Sequence, residues 1–534
     1  MNRRHRPDCP RLFKTARRVR ARAFALVILP LVLLLCAPAA AQGQNDYDRL
    51  ERAAALIREG QLARAEAELG ALLRRRPNDA NALNFMGVVR ASQKRAREAE
   101  RLFLRAIKSS PTLVGAYVNL GRLYLEGGNH ERALWAFTEA DKLAPGREEI
   151  IFNLAAIHVE RKEFEPALAA LGKIPRDALG VEDVRLMLAS YLGLRRNDEA
   201  VAIAASLKRP GALPPEEAAN FAALFASHGL LDQAIEILEA ARASAPNSYP
   251  LLYNLGASYA QRRDWARAEE FLTAALAARP DDAAALRSLG RVARARGEME
   301  KSLSFLLRAR KLAPASPEVL YDFGVTALRM NLILDALPAF EELQRKRPDH
   351  PPYIYMLAAA RLSKGEKGMA ETLLRRYVGL RPQDPAGHYL LGVALNSLNR
   401  FAEARAAFEQ SLALGPNPEA EYMLGLISNN EGDAAAAVRW LERALRAEPD
   451  HAAARGELGV AYFRQNNYEA ARAALERAVE LNPKDLRSVH QLGLVYAKLG
   501  ERERAVRMNA LADELRKERR EQETVILKLV EPPQ

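Results

Sequence analysis

The strongest constraint on the fold is a small residue that returns every 33 or 34 positions along almost the whole chain. Nine of its fourteen members are glycine, although only 30 of the 534 residues are glycine. The series consists of Ala53, Gly87, Gly121, Ala155, Ala189, Ala222, Gly256, Gly290, Gly324, Ala358, Gly392, Gly425, Gly459 and Gly493. Self-similarity at this period indicates stacked supersecondary units, so the chain is one repeating array rather than several unrelated domains.

Two further series share this period. In most units alanine follows the small residue after twelve positions, as Ala99 and Ala133 do, and proline follows after twenty-four, as Pro111 and Pro145 do. Apolar residues recur at helical spacing between these markers. Proline ends a helix because its ring clashes with the preceding turn and its nitrogen has no hydrogen to donate. The pattern therefore predicts two helices in each unit.

These markers resemble the tetratricopeptide repeat family, whose 34-residue unit has small residues at positions 8 and 27, alanine at 20 and proline at 32. The units at 112–145 and 454–483 carry most of the pattern, and the resemblance covers roughly residues 46–519. It implies an all-α fold, an α-solenoid that forms a right-handed superhelix of about fourteen helix-turn-helix units. Helix A of each unit would line the concave surface.

Packing arguments agree with this resemblance. One unit cannot bury its apolar face alone, so the units must stack. We expect Gly121 and Ala133 to lie where the two helices of a unit cross, because small side chains let the backbones approach. Asp79 and Asp450 follow prolines and are expected to cap the next helix A, because a carboxylate can accept its unpaired N–H groups.

Four segments are predicted. They are a signal peptide (1–41), an N-terminal arm of repeats one to five (42–214), a C-terminal arm of repeats six to fourteen (215–519) and a tail (520–534). The arm boundary depends on an irregular, proline-rich junction at 209–215, which is either a bend or a slightly long loop. Pro338 is expected to kink its helix, and the last helix is expected to end near Gln522.

The first 41 residues have the layout of a secretory signal peptide. A basic segment is followed by an apolar run, 23–36, and by small residues at 37–41. This predicts export, with a periplasmic or envelope-associated location in a bacterium and no stable membrane span after cleavage. The alternative is an uncleaved N-terminal anchor, because the 19 residues from 23 to 41 could just span a bilayer.

The same leader accounts for most of the net charge of +12, because it contains nine basic residues and one acidic residue. The remaining charges are nearly balanced and interleaved, which is typical of solvated helix surfaces rather than of nucleic-acid binding. Both cysteines, Cys9 and Cys36, also lie in the leader. The mature chain therefore offers no disulfide and no cysteine-ligated metal.

No motif for catalysis is present. The sequence has no glycine-rich phosphate loop after a strand, no H-E-x-x-H pair and no G-x-S-x-G elbow. The repeats occupy almost the entire mature chain, which leaves no room for an enzyme domain. We therefore predict a non-enzymatic protein with no catalytic residues, no metal site and no cofactor.

The resemblance places positions 2, 5, 6, 9, 12 and 13 of each unit on the groove, and three sets of residues there are candidates for binding a partner. The tyrosines at position 5 are Tyr253, Tyr321, Tyr355, Tyr389 and Tyr422. The asparagines at position 6 are Asn119, Asn153, Asn220 and Asn254. The arginines of repeat eight are Arg287, Arg291 and Arg294.

Each set has a chemical reason and an alternative. Tyrosine combines an apolar face with a hydroxyl and is favoured at binding hot spots, but these rings could instead pack against the neighbouring helix. An amide side chain can bond both groups of a peptide backbone, but asparagine is also common at this position in the family. The arginines suit a carboxylate or an acidic segment, or form a solvated basic face.

These observations favour a non-enzymatic extracytoplasmic scaffold that binds proteins or peptide segments in the groove. The alternative is an accessory protein of polysaccharide secretion or envelope assembly, with tyrosines stacking on sugar rings. Chaperone-binding members of the family clamp a terminal carboxylate with basic residues at positions 2, 5 and 6. Position 6 is never lysine or arginine here, so that specific function is rejected.

Overall fold

The computed structural model describes the backbone of residues 40–208 and 212–530, with the side chains of most of residues 46–518. The predicted signal peptide lies almost entirely outside these residues, so its cleavage stays a prediction. Within the described part, all regular structure is helical, with 28 α-helices and one short 3-10 helix, Ala205–Lys208. None of the described helices has an apolar stretch sufficient to cross a bilayer.

The chain divides into two compact units, Met1–Pro280 and Asp281–Gln534. The helices of the N-terminal unit are α1 (Ala40–Arg58), α2 (Leu62–Arg75), α3 (Ala80–Ser92), α4 (Ala96–Ser109), α5 (Val114–Glu126), α6 (His130–Leu143), α7 (Glu148–Glu160), α8 (Phe164–Leu171), α9 (Val181–Gly193), α10 (Asn197–Ala204), α11 (Pro215–Ser227), α12 (Leu231–Arg242), α13 (Tyr249–Gln261) and α14 (Trp265–Ala278).

The C-terminal unit contains the other half of the array. Its helices are α15 (Ala283–Ala295), α16 (Met299–Leu312), α17 (Pro317–Arg329), α18 (Ile333–Lys346), α19 (Pro351–Ser363), α20 (Lys367–Leu380), α21 (Pro385–Ser397), α22 (Phe401–Leu414), α23 (Pro418–Glu431), α24 (Ala434–Ala447), α25 (Ala452–Arg464), α26 (Tyr468–Leu481), α27 (Leu486–Lys498) and α28 (Arg502–Val530). Odd-numbered helices are the A helices and even-numbered helices are the B helices. The fourteen pairs confirm the predicted repeat architecture.

The helix boundaries follow from local chemistry. Asp79 caps α3 as expected, because its carboxylate accepts the backbone N–H of Ala82 at 2.9 Å. Asp450 does not cap α25. The cap is His451, whose Nδ1 accepts the backbone N–H of Ala454 at 3.1 Å. The turn between helices A and B has one residue with positive φ in every repeat, which reverses the chain direction tightly.

Helix α28 departs from its predicted end. It continues to Val530, so the predicted end near Gln522 was wrong. No glycine or proline stands between Arg502 and Val530 to stop the helix. Helix α18, Ile333–Lys346, is continuous and contains Pro338, and the kink expected there stays a prediction. The bend predicted at 209–215 stays a prediction, because residues 209–211 lie outside the described part of the chain.

The repeating small residue packs against the residue sixteen positions later, on helix B of the same unit. A Cβ built on Gly121 would lie 2.7 Å from the Phe137 ring. Ala133, expected opposite Gly121, is buried in the same core cluster, but the ring fills the space beside the glycine. The glycine therefore makes room for a large side chain of helix B.

The largest partners occur only opposite glycine, whereas leucine occurs opposite both glycine, as at Gly256 and Leu272, and alanine. Glycine faces all four phenylalanines found at the partner position, and each of these rings is fully buried. They are Phe103, Phe137, Phe340 and Phe408. Where alanine replaces glycine, the core partner is smaller, as in the clusters that join Ala53 to Leu69 and Ala358 to Leu374. Each unit thus adjusts its own helix crossing.

We expect the substitution Gly324→Ala to lower the free energy of unfolding by about 1–3 kcal/mol, because the added methyl would overpack against Phe340. A Cβ at this position would lie 2.7 Å from the ring. Adding Phe340→Leu should recover part of the loss by recreating the alanine–leucine pairing. Urea unfolding of the single and double variants measures this coupling.

Gly379→Ala is the matched control, because a Cβ at this exposed position of α20 would meet nothing within 4 Å. It should leave stability unchanged or slightly raised, because alanine is the better helix former. Strictly additive effects of Gly324→Ala and Phe340→Leu would contradict the size matching.

Candidate partner-binding face

Four predicted tyrosines lie on consecutive A helices of the C-terminal unit, namely Tyr321 on α17, Tyr355 on α19, Tyr389 on α21 and Tyr422 on α23. All four side chains are half-buried. Each ring packs against another ring of the protein. The distances between ring centroids are 6.4 Å to Phe340, 5.2 Å to Tyr377, 5.8 Å to Phe408 and 4.9 Å to His451, respectively. Packing against the protein therefore holds each ring in place. We call these four residues the tyrosine row.

The hydroxyls of the tyrosine row make no hydrogen bond to any residue in the described part of the chain. Tyrosines elsewhere in the repeats behave differently. The hydroxyls of Tyr124, Tyr462 and Tyr496 each donate to a glutamate of a neighbouring helix, at 2.8, 2.6 and 2.8 Å. The row thus combines fixed rings with hydroxyls that are free to bond another molecule.

The hydroxyls of the row are donors at neutral pH. Burial raises the pKa of Tyr389 to about 12 and also raises the pKa of Tyr321, Tyr355 and Tyr422. Smaller contributions to the raised pKa of Tyr389 come from the Glu419 carboxylate and from the phenols of Tyr355 and Tyr422. All four groups therefore remain protonated under physiological conditions.

The middle of the tyrosine row, Tyr355 and Tyr389, belongs to a surface without charge. In repeats ten and eleven, the positions predicted to face the groove are Pro352, Tyr355, Met356, Ala359, Leu362, Ser363, Ala386, Tyr389, Leu390, Val393, Asn396 and Ser397. Every one of these side chains is half-buried or exposed, so solvent reaches them all. None carries a charge at neutral pH, although 27% of the chain is charged. We call these twelve residues the uncharged strip.

The predicted arginine cluster of repeat eight surrounds a carboxylate that the sequence analysis missed, that of Asp322 on α17. Arg294 Nη2 lies 2.8 Å from Asp322 Oδ1, and Arg294 Nη1 donates to the Asp322 carbonyl and to Thr326 Oγ1 at 3.0 Å each. Arg287 Nε lies 3.5 Å from the same carboxylate, and Arg291 Nε lies 4.0 Å from it. Three cations therefore share one nearly buried anion.

The three arginines have different environments. The side chain of Arg294 is 15% exposed and that of Arg287 is 22% exposed, whereas Arg291 is 56% exposed. Arg294 is therefore a structural link between α15 and α17. Arg291 is the member of the cluster that remains open to a ligand. The sequence signal that could have indicated this cluster is the acidic residue at position 6 of repeat nine, which follows the arginine-rich helix A of repeat eight.

The four asparagines use their amides within the protein. Asn119 Nδ2 donates to Asn84 Oδ1 at 3.0 Å. The Nδ2 atoms of Asn153 and Asn254 donate to carbonyls of their own helices at 2.7 and 2.8 Å. Asn220 bonds the carboxylate of Glu217, whose pKa is raised chiefly by burial. A role for these amides in peptide binding stays a prediction.

Tyr253 belongs to the N-terminal unit and has a different environment from the row. Its ring stacks on that of Tyr249, with centroids 5.7 Å apart and planes inclined by 17°. Arg279 lies over the Tyr249 ring, 4.1 Å from its centroid. Tyr253 is therefore part of a local aromatic and cationic stack.

One trio of side chains in the described residues has the spacing of metal ligands, namely Glu419, Glu448 and His451. The cap on α25 uses the lone pair of His451 Nδ1. The ring proton then lies on Nε2, which is 3.3 Å from Glu419 Oε1. A neutral imidazole has no second lone pair to offer, so the trio stabilises the helix and we assign no metal to it.

Comparison with known families identifies the repeats. Three family models, each described as tetratricopeptide repeat, match the chain. The first matches residues 225–292 and 430–499, the second 50–114, 321–385, 355–419 and 389–447, and the third 102–134. Together these matches cover more than half of the sequence. The chain belongs to the tetratricopeptide repeat family.

Solved structures resemble this tetratricopeptide repeat protein only partially. A chain of the APC/C hetero-tetramer Cut9-Hcn1 is 17% identical, with 82% of this chain and 93% of that chain covered and a TM-score of 0.44. A tetratricopeptide repeat protein from Parabacteroides merdae is 20% identical over 46% and 98%, with a TM-score of 0.39. MamA from Desulfovibrio magneticus is 25% identical over 32% and 96%, with a TM-score of 0.30. No curated protein sequence matches the chain.

Removing single hydroxyls should separate the tyrosine row from structural tyrosines. Tyr377→Phe should cost about 1.5–3 kcal/mol, because its buried hydroxyl donates to the Asp384 carboxylate. Tyr355→Phe, in the same repeat, should change stability by less than about 0.5 kcal/mol, because its hydroxyl has no partner to lose. Thermal and urea unfolding compare the two variants. Equal losses would mean that the row is structural.

Substitutions of the arginines of repeat eight should also differ in how much they lower the free energy of unfolding. Arg294→Ala should cost about 3 kcal/mol, because it leaves the Asp322 carboxylate with weaker partners in a nearly buried site. Arg291→Ala should cost less than about 0.5 kcal/mol, because this side chain is mostly solvated. Urea unfolding measures both. A destabilising Arg291→Ala would show that Arg291 is not free to bind a ligand.

Proposed function

We propose that this tetratricopeptide repeat protein is a non-enzymatic scaffold outside the cytoplasm. Segments of its protein partners bind against the A helices of its C-terminal unit. The observation that carries the proposal is the tyrosine row, whose rings are fixed and whose hydroxyls are unbonded, next to the uncharged strip.

Such a surface is suited to binding polypeptides. Covering half-buried apolar side chains such as Met356 and Leu390 removes apolar area from water, at about 25 cal/mol per Å². Tyrosines that are already held by packing lose little conformational entropy when a partner binds. Their hydroxyls can bond the amide groups of an extended backbone, which every polypeptide carries.

The same surface is poorly suited to catalysis. Acid–base and nucleophilic mechanisms need ionisable or nucleophilic groups within hydrogen-bond reach of each other at the site. The uncharged strip provides hydroxyls, the amide of Asn396 and apolar groups, and the protonated phenols of the row are weak bases. Binding without chemistry is therefore the function that these residues support.

The extracytoplasmic location is supported by the leader, with its basic segment, apolar run and small residues at 37–41. A secretory signal peptide is the ordinary role of this layout. A scaffold with no cysteine after residue 36 also tolerates an oxidising compartment, because it has no thiol to be oxidised.

A glycan partner fits the strip less well than a polypeptide does. Sugar hydroxyls buried against Met356, Leu390 and Val393 would lose their bonds to water without gaining protein partners, which is unfavourable. The rings of the row also use part of their surface for packing against Tyr377, Phe408 and His451. Peptide segments with apolar side chains avoid both problems.

Affinity capture from an envelope extract tests the proposal. The wild-type protein should retain a defined set of proteins, and the double variant Tyr355→Ala/Tyr389→Ala should retain at least about tenfold less of it, as expected for hot-spot loss. The control is Leu334→Ala/Met369→Ala on the B helices of repeats nine and ten. These side chains are 77% and 59% exposed, so this variant removes apolar surface away from the row.

Both variants are compared at matched folding, checked by their melting temperatures. Equal capture by the wild type and the tyrosine variant would contradict the proposal. Binding to a glycan array that disappears in the tyrosine variant, without capture of proteins, would favour the polysaccharide alternative instead.

A further inference from the structure

We infer that the partner segment has a fixed polarity, with apolar side chains over repeats ten and eleven and an acidic end over Arg291 in repeat eight. This inference rests on the proposed function and names the chemistry of the partner. It depends on the different charges at the two ends of the tyrosine row.

At the first end of the row, in repeats eight and nine, arginine side chains outnumber the nearby carboxylates. Asp322 is already bonded by Arg294, so Arg291 remains 4.0 Å from it and 56% exposed. Glu318 is the other nearby acid. Hydrogen bonds from its own backbone N–H and from Ser316 lower its pKa, with a smaller contribution from Arg287. Asp322 is therefore shared by three arginines, and Arg291 is the most exposed and the most distant of them.

A second open cation lies on the neighbouring A helix. Arg329, at position 13 of repeat nine, is exposed, and within the described residues it forms no ion pair or hydrogen bond. The groove positions of repeats eight and nine therefore present two solvated guanidinium groups. Guanidinium groups bind carboxylates through two parallel hydrogen bonds, so an acidic group is the matching partner.

The other end of the row has the opposite character. Glu457 is nearly buried, and Asn429 Nδ2 and Arg487 Nη1 bond its carboxylate at 2.9 and 2.8 Å, so Arg487 is already paired. The Glu419 carboxylate remains 46% exposed, and among the described residues its ion-pair partner is His451, at 3.3 Å. This end therefore offers a carboxylate rather than a free cation.

The region between these ends selects against charge. Over repeats ten and eleven the uncharged strip has no charged side chain that could pair with a charged residue of the partner. A charge placed there would be desolvated without compensation. The partner segment is thus apolar in its middle, and its acidic residues must lie beyond the strip, where Arg291 and Arg329 can reach them.

The length of the segment follows from helix spacing. Packed helices lie about 10 Å apart, so four steps from α15 to α23 span roughly 40 Å. An extended chain advances about 3.3 Å per residue. A segment of about 12 residues therefore reaches from repeat eight to repeat twelve.

Fluorescence anisotropy with designed 12-residue peptides tests the polarity. All peptides share one core of alternating leucine and serine, and they carry an aspartate pair or a lysine pair at either the N- or the C-terminal end. At least one aspartate peptide should bind about tenfold or more tightly than its lysine counterpart. The preference should shrink at high salt, because exposed charges are screened.

The variant Arg291→Glu should weaken binding of the aspartate peptide by about tenfold and strengthen binding of the lysine peptide. The matched control is Arg308→Glu on α16, which makes the same charge change at an exposed position of a B helix. It should leave both affinities within about twofold, because this side chain lies away from the groove.

Four outcomes would overturn the inference. They are equal affinity for aspartate and lysine peptides, equal affinity for the two aspartate peptides, equal effects of Arg291→Glu and Arg308→Glu, and no binding of any peptide at millimolar concentration. Binding of polygalacturonate with the same dependence on Arg291 would assign the site to an acidic polysaccharide instead. If capture from the extract still requires Tyr355 and Tyr389 while the peptides show no end preference, only the polarity fails. If capture does not require these tyrosines, the proposed function fails as well.

Discussion

The packing of a small residue of helix A, most often glycine, against a side chain of helix B is the interaction on which the repeats depend. Where the B-helix residue is a phenylalanine, only glycine leaves enough room, as at Gly324 and Phe340. This contact fixes the rotation of helix A about its own axis. Because the rotation is fixed, the same sequence positions face away from the core in every unit, and a functional surface can be built from them.

The tyrosine row is a product of this fixed rotation. Tyr355 and Tyr389 stand three positions before Ala358 and Gly392, which lie in the helix crossings of their own units. Their rings therefore return to the same place on successive A helices. The charges at the ends of the row depend on contacts between units, since Arg294 reaches Asp322 on the next A helix and Asn429 reaches Glu457 in the same way.

The sequence was sufficient to predict the repeat number, the helix pairs and the position of the tyrosines, because these features follow from a periodic pattern. It was not sufficient to predict which polar side chains are already satisfied. Nothing in the spacing of Arg287, Arg291 and Arg294 shows that Asp322 bonds one of these arginines more closely than the others. That choice depends on how far side chains reach between neighbouring helices. The same limit applies to Asn153 and Asn254, whose amides bond their own helices. The end of α28 was also mispredicted, although no glycine or proline stands between Arg502 and Pro532 to stop the helix.

The sixteen-residue separation of the two core partners has a consequence for how such a chain acquires its structure. Each helix crossing is complete within one unit, so the contacts that stabilise it are close in sequence and the loops that must close are short. If the leader directs export, the polypeptide crosses the membrane as an unfolded chain, N terminus first. Each repeat can then form on the far side as soon as its neighbour has emerged, without waiting for residues that are still in transit.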